Sequence, residues 1–394
     1  MRESKKVGGY HVQVCALAFA DEDRKPLTSS ERGRENEPQT GTFKKKGVNA
    51  MKCVLMLVWV ALILVSPFNV SAQTHLYKFR VADMHPPVAK PCRLLERWGS
   101  EVERRTGGKV KFEYFWSASL IGAYEQLDAV MSGAVDISPY YSGYHPDKAP
   151  IPAMLLMPMI SVGPYKAQVQ AADELYRTND QLQTEFKKNG VKYILLTHVT
   201  DCYIFSNIPI GSVTDLRNVK IRAFGPFLAF FKALGSELVS VSLPEVYDAL
   251  RTGTVNGTIQ YLENAIGFKH HEVSKYVNLT NLGNNMGMPA VINQKKWASL
   301  PKDIQAVMEE ASRKVLMDVV AEYETEFERF MKELRKLGLK ETKFSDRDIT
   351  VLRKTAEESV WNPYISSLES KGIKAREVLQ NYRNLLAKYS KSTK

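Results

Sequence analysis

The sequence predicts an α/β protein built as two lobes with a cleft between them, and three observations lead there. From Leu76 onward, strand-like and helix-like stretches alternate in the order of βαβ units, which implies mostly parallel sheets with covered faces. A segment recurs: Glu125-Gln126-Leu127-Asp128-Ala129-Val130-Met131-Ser132-Gly133-Ala134-Val135-Asp136 resembles Glu245-Val246-Tyr247-Asp248-Ala249-Leu250-Arg251-Thr252-Gly253-Thr254-Val255-Asn256. In both, a helix ends at a glycine and a strand begins two residues later. Finally, Ile304, Val307, Met308, Ala311, Val315, Val319, Tyr323 and Phe327 recur at helical steps. They mark one helix from about Lys302 to about Leu337, which at ~1.5 Å per residue can run across two lobes.

Residues 1–50 are polar, punctuated and without a sustained period. Met51-Lys52, the apolar run Cys53–Val65 and Val70-Ser71-Ala72 then compose the charged, apolar and small-residue parts of a signal peptide over 51–72. The run is short for a membrane span, an uncleaved anchor being the alternative. A leader that begins 51 residues in is most simply explained by a start at Met51, with 1–50 a gene-start error and a disordered extension. Cleavage after Ala72 leaves Gln73–Lys394 outside the cytoplasm, with Cys92 and Cys202 as its cysteines.

The first lobe opens with a strand, Tyr77–Ala82, broken by Pro86-Pro87. An amphipathic helix follows at Lys90–Arg105, with Leu94, Leu95, Trp98 and Val102 on one face, ended by Thr106-Gly107-Gly108. Lys109–Phe115 reads as a strand, Tyr124–Ser132 as a helix and Gly133–Ile137 as the next strand. Residues 150–164 form an irregular apolar loop, Tyr165–Asn189 a helix and Val191–Thr197 a strand. The second lobe has strands at Val219–Phe224 and Glu237–Val241, a turn running into a strand over Gly253–Ile259, and helices at Phe227–Leu234 and Leu243–Thr252. Met288–Asn293 is a strand, Trp297-Ala298-Ser299-Leu300-Pro301 leads into the long helix, and Asp346–Tyr389 is mostly helical.

Within Val219–Phe224, Val219, Ile221 and Ala223 share one side and Arg222 takes the other. Gly225-Pro226 ends the strand before a helix, which is where open α/β sheets hold their ligands. A guanidinium there can grip a carboxylate through two parallel hydrogen bonds and stays charged when desolvated. The alternative is a surface arginine paired with a neighbouring carboxylate. The net charge of +11 includes a leader region, 1–72, with 11 Lys/Arg against 7 Asp/Glu; the rest is spread over helices. That favours anionic ligands weakly and gives no nucleic-acid platform. The four cysteines form no CxxC or Cys/His spacing, and the adjacent His270 and His271 diverge on a helix, so no metal site is expected. No Gly-x-Ser-x-Gly elbow, phosphate-cradling loop or His-Glu-x-x-His is present, so the chain is not expected to be an enzyme.

The mature chain resembles the periplasmic solute-binding proteins of tripartite ATP-independent (TRAP) transporters, the DctP family. The resemblance rests on Thr106-Gly107-Gly108-Lys109-Val110, on Met131–Ile137, on Leu216-Arg217-Asn218-Val219-Lys220-Ile221-Arg222, on Glu245–Gly253, on Glu272-Val273-Ser274-Lys275-Tyr276 and on Trp297–Pro301. It implies a class II periplasmic-binding-protein fold with crossed-over hinge strands and a long helix spanning both lobes. The lobes would be 73–199 plus 287–326 and 200–286 plus 327–394. It makes Arg222 the ligand-carboxylate clamp, with Lys220 at the surface. It places the other pocket positions at Tyr140, Tyr141, Leu243, Gln260, Tyr261 and near His85, with Phe224 as a further aromatic wall. Where some members carry a second arginine this chain has Tyr203, which argues for a single clamp. The expected ligand is thus a monocarboxylate with an apolar or aromatic body, or a 2-oxo acid. The expected partners are that organic acid and TRAP membrane permease subunits in sodium-dependent uptake. The chain would act as a monomer, without cofactor or nucleic acid. Cys92 and Cys202 would fall in different lobes as free thiols, since a bridge would lock the hinge. A sensor subunit for a membrane kinase, or a periplasmic hydrolase or isomerase, are the alternative functions.

Overall fold

A computed structural model describes residues 76–197, 200–284 and 286–391, and the expected leader and the 1–50 extension lie outside them. The elements divide between two sheets. The first has the strand order β2-β1-β3-β10-β4. Here β1 is Tyr77–Ala82, β2 Val110–Phe115, β3 Ile137–Pro139, β4 Val191–Leu196 and β10 Pro289–Asn293. The second has the order β11-β9-β5-β8-β6-β7. Here β5 is Cys202–Ser206, β6 Lys220–Arg222, β7 Glu237–Leu238, β8 Gly257–Tyr261, β9 Tyr276–Asn278 and β11 Lys340–Thr342. β1 pairs in parallel with β2 and β3, and β6 in parallel with β7 and β8. The expected parallel character therefore holds at the heart of each lobe. β10 and β5, the strands beside the crossings, run antiparallel to their neighbours. This is the two-lobed, crossed-over arrangement that the resemblance implies.

The recurring segment is one device used twice. Helix α2 (Gln126–Ser132) ends at Gly133 with φ 80°, and helix α7 (Val246–Thr252) ends at Gly253 with φ 76°. A left-handed residue there is what glycine tolerates without a Cβ clash. Val135 N–H then donates to Ala129 O, and Val255 N–H to Ala249 O, both at 3.2 Å. Asp136 accepts from Arg80 N–H at 2.7 Å, and Asn256 from Lys220 N–H at 3.1 Å. The same turn thus fixes β1 in one lobe and β6 in the other, each just short of its ligand-facing end.

Helix α1 (Lys90–Arg105) buries Leu94, Leu95, Trp98 and Val102 as expected. The single helix expected over Tyr165–Asn189 is two, α4 (Tyr165–Thr178) and α5 (Asp180–Lys188). Asn179 causes the break: it leaves helical geometry and its side chain caps Gln181 and Leu182 N–H at 3.1 and 3.2 Å. The apolar loop of 150–164 contains a short helix, α3 (Pro150–Met154). The remaining helices are α6 (Phe227–Ala233), α8 (Leu262–Gly267), α9 (Gln294–Ala298), α10 (Lys302–Lys336), α11 (Asp346–Ala356), α12 (Asn362–Ser370) and α13 (Ala375–Lys391).

The long helix α10 serves both lobes. Its first half lies against α1 and β4, where Trp98 Nε1 donates to Met308 O at 3.2 Å. Near its end Phe330, Met331 and Leu334 pack with Tyr203, Phe205, Leu262 and Val277 of the second lobe. Asp201, where the chain enters β5, ties the crossings together. Its carboxylate accepts from Tyr323 OH of α10 at 2.8 Å, from Tyr203 OH at 3.2 Å, and from Asn281 and Asn284 Nδ2 on the returning connection at 2.6 and 3.3 Å. Burial holds its pKa above the ordinary carboxylate range despite these donors.

The tail straddles the lobes, where the expectation gave all of 327–394 to the second. α11 stays there: Asp348 Oδ1 accepts from Val213 N–H at 3.1 Å. α13 instead lies along α4, with Tyr382 OH against Ser161 Oγ at 2.7 Å and Lys388 Nζ on Glu174 at 2.9 Å. Its buried stripe of Val378, Leu379, Tyr382 and Leu385 needs an apolar partner, and α4 supplies Val169, Ala172 and Tyr176.

Candidate functional site

Four chain ends meet between the sheets. β1 runs out into Met84 and His85, β3 into Tyr141, β6 ends at Arg222, and β8 ends at Gln260 and Tyr261. Their side chains, with Gly143, Tyr144, Phe224, Gly225, Leu243, Asn264 and Met288, line a cleft of about 570 Å³ including its solvent-open mouth. That size suits a small ligand. The lobes are drawn together here. The Tyr141 ring lies 6.5 Å from that of Phe224, and its hydroxyl would stand 3.1 Å from a Cβ built on Gly225. Gly225 also has φ 50°, so a side chain would meet both the backbone preference and the opposite lobe. At Gly143 a Cβ would fall 2.5 Å from the Tyr141 ring, so this glycine lets the ring fold down over the chain.

Arg222 is only 7% exposed. Its Nε donates to Val241 O at 3.2 Å and its guanidinium lies 5.0 Å over the Phe224 ring. Among the described residues no carboxylate forms a salt bridge with it, and it is the one lysine or arginine in the cleft lining. Burial lowers its pKa, because no neighbouring carboxylate offsets the desolvation of the charge. The hydroxyls of Tyr141 and Tyr261 and the Nε2 of Gln260 are buried without hydrogen-bond partners. Gln260 Oε1 is already used, accepting from Tyr261 N–H at 3.1 Å and Asn264 Nδ2 at 3.3 Å, so its free valence is a donor. Burial pushes both tyrosine hydroxyls well above their usual pKa, keeping them protonated donors. A cation, the Gln260 amide and the neighbouring hydroxyls of Tyr141 and Tyr261 around one space call for a ligand rich in acceptors.

His85 stands at the other end. Its Nδ1 lies 3.1 Å from Asp83 Oδ1, and Gln126 Nε2 donates to the same oxygen at 2.9 Å. Burial depresses the imidazole pKa, but the Asp83 carboxylate outweighs it and the net shift is upward. Cys92 sits behind this pair, with Sγ 3.5 Å from His85 O, and burial drives its thiol far up. Cys92 and Cys202 are both buried free thiols, on α1 and β5. His270 is buried with neither ring nitrogen partnered, and burial pulls its pKa down to about 3; His271 Nδ1 meets Ala265 O at 3.0 Å.

Of the positions expected in the pocket, Arg222, Tyr141, Phe224, Leu243, Gln260, Tyr261 and His85 come together. Tyr140 and Tyr203 do not line the cleft. Tyr140 alternates away from Tyr141 along an extended chain, fully buried in the first lobe against His145. Tyr203 turns toward the hinge, where Asp201 and Phe327 hold it. Tyr140→Phe and Tyr203→Phe are therefore expected to leave ligand affinity within about twofold in calorimetric titration, while Tyr261→Phe weakens it by about five- to tenfold, the worth of one hydrogen bond. Met84, Tyr144, Asn264 and Met288 line the cleft without having been anticipated. Tyr144 carried a readable signal, standing three residues past Tyr141 in a Gly-containing turn.

Comparison with known proteins is consistent with this geometry. The family described as "DctP: Bacterial extracellular solute-binding protein, family 7" matches residues 86–367. A "Solute-binding protein" of Albidiferax ferrireducens is 25% identical over 286 residues, covering 69% of this chain and 80% of its own. A TRAP periplasmic solute binding protein from Desulfovibrio salexigens superposes with a TM-score of 0.71 at 25% identity, over 79% of this chain and 96% of its own. A marine metagenome TRAP protein specific for aromatic acid ligands, crystallised with 3-hydroxybenzoate, gives a TM-score of 0.68 at 20% identity, over 80% and 99%.

Proposed function

The chain belongs to the DctP family of TRAP transporter solute-binding proteins, a transport family and not an enzyme family, and from that premise we propose that it captures an organic monocarboxylate with an apolar or aromatic body, or a 2-oxo acid. The observation that carries the reading is the buried, unpaired Arg222 guanidinium flanked by the free donors of Tyr141, Tyr261 and Gln260. One carboxylate would accept from the guanidinium through both oxygens and from the hydroxyls and amide at its flanks. The body of the acid would lie among Phe224, Leu243, Met84 and Met288. A single lysine or arginine in the described lining supports one anionic group over two. Tyr203 faces the hinge and not the cleft, so the single-clamp reading rests on the lining residues alone.

Function then follows from closure. Ligand bridges Tyr141 of one lobe to Arg222 of the other, so it binds the closed state better than the open one and shifts the population toward it. The leader at 51–72 would deliver the mature chain to the periplasm as a monomer, and the closed form would hand its acid to the TRAP permease. A thermal-shift series of aryl acids, 2-oxo acids and dicarboxylates tests the ligand class. Aryl or 2-oxo monocarboxylates at a hundredfold over Kd should stabilise by about 2.7 kcal/mol by mass action. Stabilisation by dicarboxylates alone would sink the single-clamp reading.

A further inference from the structure

The aromatic wall of the cleft does not stop at its mouth. Tyr144, on the rim, is 38% exposed; its ring lies 4.9 Å from that of Tyr141 inside and 4.5 Å from that of Tyr124 outside. Tyr124 stands 71% exposed on the turn before α2, and among the described residues Tyr144 is its one ring partner. Inward, the rings continue from Tyr141 to Phe224 at 6.5 Å and from Phe224 to Tyr261 at 5.3 Å, with the Arg222 guanidinium 5.0 Å over Phe224. Aromatic surface thus runs without interruption from the buried cation to bulk water. A tyrosine this exposed adds little to the fold, whereas its face is available to a ligand group that leaves the cleft.

We propose that Tyr144 and Tyr124 form an outer subsite, so that the preferred ligands are carboxylates bearing a second apolar or aromatic group beyond the part held in the cleft, such as an arylpropanoate or a biaryl acid. The proposal rests on Arg222 being the carboxylate anchor, which fixes the direction in which the ligand points. With its carboxylate at Arg222, an acid of one ring fills the space among Tyr141, Phe224 and Leu243, and a longer one emerges beside Tyr144. There the distal group would meet the tilted ring pair of Tyr144 and Tyr124, whose exposed faces and edges offer it offset or edge-to-face contact. Met84 and Met288 adapt their shape to the inner ring without dictating its width.

Calorimetric titration of the mature protein with benzoate, 3-phenylpropanoate and biphenyl-4-carboxylate tests this, using wild type, Tyr124→Ala and Arg222→Ala. Wild type should bind at least one of the two longer acids at least fivefold more tightly than benzoate. Tyr124→Ala should weaken that longer acid by roughly three- to tenfold and leave benzoate within twofold. Tyr124 is exposed, so its truncation leaves the core intact, and an unchanged melt of the variant checks this. If short acids bind and Arg222→Ala removes them, but length brings no gain or Tyr124→Ala weakens all acids alike, the outer subsite falls while the anchor stands. If no carboxylate binds wild type, both fall.

Discussion

Arg222→Ala is expected to reduce organic-acid affinity by at least about thirtyfold while leaving the melt of the ligand-free protein nearly unchanged. The two halves of this result have one cause. In the ligand-free cleft the guanidinium is buried with one hydrogen bond to Val241 O and a ring face beneath it, and no salt bridge among the described residues. Removing it gives up little and relieves an uncompensated charge. In the complex the same group would donate to the ligand's carboxylate, and truncating one side of a buried, hydrogen-bonded charge pair costs about 2–5 kcal/mol or more. Arg222→Lys should recover only part of the loss, because an ammonium cannot offer two parallel donors to a planar carboxylate. Titration calorimetry on an acid found by thermal shift reads this directly. Affinity in Arg222→Ala within threefold of wild type would remove the anchor from the site.

The lobes were legible because the sequence carries their local chemistry twice. Gly133 and Gly253 are required by their left-handed backbones, and Asp136 and Asn256 by the strand N–H groups they accept. Such requirements lie within a few residues and show in the pattern. The short strands β5, β9 and β11 were not anticipated, since Cys202–Ser206 is buried throughout and shows no alternation, and Lys340–Thr342 has only three residues. The tail was misplaced for a related reason. Periodicity shows that α13 has an apolar stripe, but not which helix will cover it.

At the site, Arg222 could be read from its strand, because Ile221 packs inward and the following Gly-Pro ends the sheet where ligands bind. The tyrosines divided. Tyr141 and Tyr261 reach the cleft, while Tyr140, one residue from the first, is turned into the core. Adjacent residues on extended chain point apart, so a resemblance that fixes position to within one residue cannot say which ring meets the ligand. Tyr203 was assigned by the arginine that some relatives carry. Here the hydroxyl is claimed by Asp201, a contact between two residues of the hinge that only the folded crossing brings into line with Tyr323 and Asn281.

Glu185 sets the second large expectation, a contribution to stability that is lost as pH rises. This residue of α5 is buried, with Oε2 accepting from Ile151 N–H at 3.1 Å and Oε1 without a hydrogen-bond partner among the described residues. Burial pushes its pKa up to about 8, against an ordinary value of 4.5, and the backbone donor and Lys188 oppose only weakly. Between these two values the unfolded chain has lost its proton and the folded chain keeps it. The stability that Glu185 contributes is therefore fully present below pH 4.5, declines through neutrality and is lost above pH 8. The full effect is on the order of 4–5 kcal/mol from the distance between the two values. Glu185→Gln keeps the acceptor for Ile151 and cannot ionise. Its melting temperature should match wild type near pH 4.5 and exceed it by about 5–10 °C at pH 8.5, with ligand affinity unchanged because Glu185 does not line the cleft. Parallel pH profiles of wild type and variant would show Glu185 already ionised and paired in the fold, and the cause assigned here wrong.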